Sequence, residues 1–185
     1  MKAGDIILVH SMPSLLAKAI THFMEQEADK LGLDLPYPVP HHAGTIIQYN
    51  GQLRVAEAVA RGYVATPLLE AYTRKEWANN VVLLTPKKPY TPNEQSLISS
   101  LAQDMAMRGK PYDYPNFIFQ IIYVKTGIWI GPKEKKSEMA VYCSEGAALL
   151  ADYVQPGVFP RHWEVNPVMI AASKDFVIKS IGVKL

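Results

Sequence analysis

Cysteine is almost absent from this sequence: Cys143 is the one such residue in 185. That excludes a disulfide-stapled fold and leaves no basis for a cysteine-based zinc site. Long apolar runs are missing as well. None approaches the ~18 residues of a membrane-spanning helix. The N-terminus, MKAGDIILVHS, interrupts its apolar stretch with Asp5 and does not read as a signal peptide, so a cytoplasmic location is expected. Charge of one sign is not in excess, since 19 Lys+Arg against 17 Asp+Glu leave +2. The basic residues are scattered, which gives no footprint for nucleic acid. There is no repeat, low-complexity tract or Gly/Ser linker, so a single domain over 1–185 is expected. What is present is an ordinary globular composition, 49% hydrophobic and 19% charged, which excludes disorder over most of the chain.

The pattern along the chain is mixed. Asp5–Val9 (DIILV) reads as a strand after the turn-former Gly4. Ser11 or Ser14 can cap a helix from about Pro13 to Lys30, whose apolar residues recur every three or four positions. Gly32 ends it, and Pro36, Pro38 and Pro40 make a rigid connector. Asn50-Gly51 between two β-rich runs predicts a hairpin with strands at 43–49 and 52–58. Val81–Leu84 is a further strand. Thr91-Pro92-Asn93-Glu94 supplies an N-cap, a proline at N1 and a glutamate at N3, so a helix should run from 92 to about Arg108 and stop at Gly109. Residues 115–124 are apolar nearly all round, which suits a buried helix better than a strand. The run 133–136 (KEKK) reads as a solvated face, Cys143-Ser144-Glu145 opens a small-residue helix, and the tail from Asp175 alternates as a strand. The expected class is α+β, a small antiparallel sheet or barrel packed against helices.

Cys143 is either a buried small hydrophobe or a reactive thiol. Its place at a helix start favours ionisation, because unpaired N–H groups and the macrodipole stabilise an anion there. The same N–H groups could hold a developing oxyanion. A thiolate nucleophile needs a base, and His10, His22, His41, His42 and His162 are available. His41 and His42 stand just before a strand, next to the small pair Ala43-Gly44. An imidazole base also needs an acceptor for its second nitrogen. With the turn at 50–51, opposed residues sum to about 101, so Glu57 faces position 44, beside that strand's start. A glutamate within VAEAV would be costly without such a partner. Asp5 is expected to organise its turn, and Glu145 to support the helix N-terminus.

Gly4-Asp5-Ile6-Ile7, His42-Ala43-Gly44, Glu57, Tyr112-Asp113 and Tyr142-Cys143-Ser144-Glu145, in that order, resemble the permuted papain-like cysteine peptidases and amidases. More narrowly they resemble the YiiX-like branch of the NlpC superfamily. The resemblance implies a circularly permuted papain-like fold with Cys143 as nucleophile, His42 as general base and Glu57 as its orienting residue. It places Tyr112, Tyr142, Ser144 and His41 around the substrate and calls for no metal or organic cofactor. The stretch 12–40 is longer than the family's pattern, and a lid insertion is expected there. The expected activity is hydrolysis of an amide bond through a thioester. The substrate is a small peptide, an amino-acid amide or a cell-wall peptide. The alternatives are acyl or lipid hydrolysis or acyl transfer on the same site, with 115–130 lining an acyl channel, and a catalytically silent binding module.

Overall fold

The computed structural model describes residues 1–11, 14–73, 80–132 and 140–182. Six antiparallel strands form one open sheet in the order β4-β3-β2-β1-β5-β6. They are β1 (Ile6–Val9), β2 (His42–Tyr49), β3 (Gln52–Val59), β4 (Gly62–Pro67), β5 (Val81–Pro86) and β6 (Phe176–Ile181). The helices are α1 (Leu15–Lys30), α2 (Leu68–Thr73), α3 (Pro92–Met107), α4 (Tyr114–Thr126), α5 (Cys143–Val154) and α6 (Pro167–Ala171). The class is α+β. With β4 and β6 as free edges, the barrel alternative does not hold.

Local chemistry explains most boundaries. Asn50 (φ 48°) and Gly51 (φ 75°) both adopt the left-handed conformation that a tight hairpin demands. The hairpin then pairs Thr45 with Ala56 and Tyr49 with Gln52, the register expected from the turn. Thr91 accepts from the Glu94 N–H while the Glu94 carboxylate accepts from the Thr91 N–H at 2.7 Å, a complete capping box opening α3. Asp5 accepts from the Lys2 N–H and the Thr85 hydroxyl, tying the turn before β1 to β5. α1 is capped by Ser14. The expected start at Pro13, the charged run 133–136 and the end of the tail at 183–185 lie outside the described residues.

β1 is buried on both faces. Ile6 and Leu8 pack with Ala147, Ala148 and Ala151 of α5, while Ile7 and Val9 pack with Leu68 and Ala71 of α2. The helix beginning at Cys143 is thus laid directly against the sheet. Gly146 lets it approach, since a Cβ there would lie 2.9 Å from the Tyr63 ring.

Two features depart from expectation. β4 and α2 fill a stretch that carries no strand or helix prediction. α4 is a helix, as expected, yet its buried stripe is Asn116, Gln120 and Val124, while Ile118 is 52% exposed. The apolar segment 115–130 therefore turns part of its apolar surface outward, at Ile118, Ile128 and Ile130. The stretch 14–41 packs α1 onto α4 and α6 and inserts Tyr37 into the α5 cluster.

Candidate active site

Cys143 is the first residue of α5, and Tyr142 holds the extended N-cap position before it. The Glu145 carboxylate accepts from the Tyr142 N–H at 3.3 Å, which supports that helix end. Cys143 is buried, 6% exposed. Burial alone would push its thiol pKa up. The neighbouring His42, through charge and a hydrogen bond, outweighs this, and the backbone N–H groups of Ala43 and Ser144 add to the effect. The thiol is held below its ordinary value.

His42 lies at the first position of β2. Its Nε2–H donates to Glu57 Oε2 at 2.7 Å, which leaves Nδ1 for the thiol. Burial by itself lowers the imidazole pKa. The Cys143 charge and hydrogen bond, with those of Glu57, raise it to about 10. The Glu57 side chain is fully buried, and its Oε1 has no hydrogen-bond partner among the described residues. The registry explains the pairing. Extending the hairpin ladder by one step sets Glu57 opposite Gly44, two residues from His42 and on the same side of the strand. A Cβ at Gly44 would lie 2.9 Å from Val55 Cγ1 and 3.4 Å from Glu57 Cβ, so only glycine leaves the diagonal clear.

The structure thus brings Cys143, His42 and Glu57 into one chain of hydrogen bonds. Tyr112 also stands close, because the Cys143 charge contributes to raising its phenol pKa, after burial. The other residues expected around the substrate are placed differently. Ser144 is fully buried and offers the thiol its backbone N–H rather than its hydroxyl. His41 is 5% exposed, and neither ring nitrogen is bonded among the described residues. Burial, then the charges of His42 and His10, lower its pKa to about 4, so it stays neutral.

Tyr142 is a brace. Its hydroxyl accepts from Gln120 Nε2 at 3.1 Å and can donate to the carbonyls of Trp163 and Val165, both at 2.9 Å. Asn116 donates to the Trp163 carbonyl as well. Sequence reasoning missed Asn116 and Gln120, whose signal was amide side chains four apart in an otherwise apolar helix. Tyr142→Phe is expected to strand these buried groups and cost about 1–3 kcal/mol of stability, read as a lower urea midpoint with an unchanged slope.

The chain shares its fold with YiiX. The crystal structure of the metalloprotein YiiX from Escherichia coli O157:H7 matches it with a TM-score of 0.56 over 97% of both chains, at 17% sequence identity. No protein-family model and no curated protein matches the chain. At that identity the likeness to YiiX speaks for the fold alone. Whether a metal fits can be asked of the side chains. Among the described residues no group of three or more His, Cys, Asp or Glu is arranged to hold an ion, and one His42 nitrogen is bonded to Glu57 while the ring also bonds Cys143. Among the described residues no helix is long and apolar enough to cross a membrane.

Proposed function

We propose that the protein is a cysteine hydrolase of the permuted papain-like type, cleaving an amide bond in a small peptide or amino-acid amide. The observation that carries this reading is the relay itself: a thiol held below its ordinary pKa, hydrogen-bonded to His42, whose far nitrogen donates to the buried carboxylate of Glu57. The order His, Glu, Cys along the chain agrees with a permuted arrangement.

In this reading the Cys143 thiolate attacks the carbonyl carbon. The carbonyl π electrons move onto oxygen, and the N–H groups opening α5 stabilise that oxyanion. As the tetrahedral adduct collapses, the C–N bond breaks and the His42 imidazolium gives its proton to the leaving amine. Water then attacks the thioester, His42 takes the water's proton, and the acid product leaves with the thiol restored. Glu57 stays ionised and orients the imidazole throughout. A silent binding module has no use for such a pair, because a carboxylate buried in a strand costs free energy.

The thiol titration is the direct test. Iodoacetamide alkylation of Cys143, followed against pH, is expected to show an inflection well below the ordinary thiol value of ~8.5. An inflection at or above that value, or no labelling of the folded protein, would identify an inert core cysteine and overturn the reading.

A further inference from the structure

The helix α1 carries its charges against its own dipole. Glu25, Glu27 and Asp29 fall in its C-terminal half, where the macrodipole disfavours anions, and Lys30 is the one lysine or arginine there. Glu25 and Asp29 stand four positions apart on one face, a like-charged spacing that weakens a helix. Both are exposed, and neither has an ion-pair partner among the described residues. Such a placement costs stability unless a cation joins it.

The two carboxylates border a pocket of about 360 Å³ between α1 and the chain that follows it. Pro36, Pro38 and Pro40 hold that chain extended, so Leu33, Leu35, Tyr37 and Val39 line the pocket from alternate positions. Tyr37 is 6% exposed, and its hydroxyl has no hydrogen-bond partner among the described residues. Burial pushes the phenol pKa up to about 12, so the group stays a neutral hydroxyl. Thr21 also lines the pocket. Its hydroxyl donates to the Ala17 carbonyl at 2.9 Å, which leaves the oxygen to accept. Among the described residues no basic side chain lines the pocket. Lys125 lies over the Phe23 ring, about 160° round α1 from Glu25 and outside the lining.

Apolar walls, a neutral phenol and two carboxylates are the complement of an alkyl chain that ends in a cation. An inorganic cation would leave the apolar walls unused. We propose that this pocket binds an aliphatic ammonium group, the end of a lysine-like side chain or of a free alkylamine. The pocket adjoins the catalytic relay. Val39 is three residues from His42, a span of at most about 11 Å. Ser11, a lining residue hydrogen-bonded with His10 Nδ1 at 3.0 Å, stands two residues after Val9, which pairs with His42. A substrate whose carbonyl meets Cys143 can therefore place an amine there. That source of the amine rests on the hydrolase reading, whereas the binding itself does not.

The test is calorimetric titration of the intact protein with n-pentylamine, set against 1-pentanol as an uncharged probe of the same length. Pentylamine is expected to bind at least about tenfold more tightly. Glu25→Gln with Asp29→Asn should bring it to within about twofold of pentanol. Both replaced groups are exposed and their amides isosteric, so the melting temperature should hold, and a melting curve verifies it. Turnover then separates the two sources. A preference of about tenfold or more in kcat/KM for lysine amide over norleucine amide, lost in the double variant, makes the ammonium part of the substrate. Pentylamine binding without that preference assigns the pocket to a free amine. If neither amide is cleaved while pentylamine binds, the hydrolase reading fails and the pocket stands. Pentylamine bound no more tightly than pentanol overturns the proposal, and so does pentylamine binding unaltered in the double variant.

Discussion

His42→Ala is expected to lower turnover on an amide substrate by about 10²- to 10⁴-fold, the usual contribution of a positioned general base. It should also return the Cys143 thiol to a high pKa. Burial then acts on the thiol with only the Ala43 and Ser144 N–H groups opposing it. The two effects separate catalysis from folding. Without the imidazole, the Glu57 carboxylate is left buried and unpaired, which costs about 3–5 kcal/mol. His42→Gln serves as the companion variant, since its amide N–H can still donate to Glu57 while offering no base. Both variants should lose turnover, but His42→Gln should keep more of the stability. In the unmodified protein, the proposed activity should rise with pH through the depressed thiol pKa, as the thiolate forms. It should fall again near pH 10, where His42 loses its proton. Removal of the imidazole abolishes the alkaline limb. Turnover that survives both His42 changes would remove the base from the mechanism.

The second large effect belongs to Glu57. Glu57→Gln keeps the shape and an oxygen acceptor for His42 Nε2–H but removes the charge that stabilises the imidazolium. Turnover should drop by up to about 10⁴-fold, the scale known for replacing a triad carboxylate by its amide. Stability should change by no more than about 1–2 kcal/mol. With one of the influences that raise the His42 pKa gone, the alkaline limb of the pH profile should move downward from about 10. Turnover on an amino-acid amide or dipeptide library, measured beside a melting curve, distinguishes the roles. Full activity with a collapsed melting temperature would make Glu57 a structural carboxylate and take the third member out of the relay.

The relay was legible in advance because its parts rest on short-range rules. Asn50-Gly51 sets the hairpin, the hairpin sets the register, and the register sets Glu57 opposite Gly44, beside His42. A glutamate among small apolar strand residues announced that it needed a partner. The helix start at Cys143 was equally local, marked by Glu145 at its third position. The surroundings of the relay were less legible. Tyr142 and Ser144 adjoin the nucleophile in sequence, yet the bend from strand-like N-cap into helix turns both side chains into the interior. Nearness along the chain says little about which side chain meets solvent.

Sequence by itself determined the α+β class, the hairpin and its register, the capped start of α3, and the pairing of a strand histidine with a strand glutamate. Each follows from left-handed turn residues, capping side chains or period-two alternation, which act within a few residues. Only the tertiary structure decided that β4 extends the sheet, that α2 covers its second face, and which side of α4 is buried. A helix of nearly uniform apolarity has no preferred inward face until a partner supplies one. Here the partners are the Trp163 carbonyl and the Tyr142 hydroxyl, 47 and 22 residues along the chain from the amides they bond. The bonds that the two amide N–H groups make to those partners outweighed the burial of isoleucines that water can tolerate at a surface.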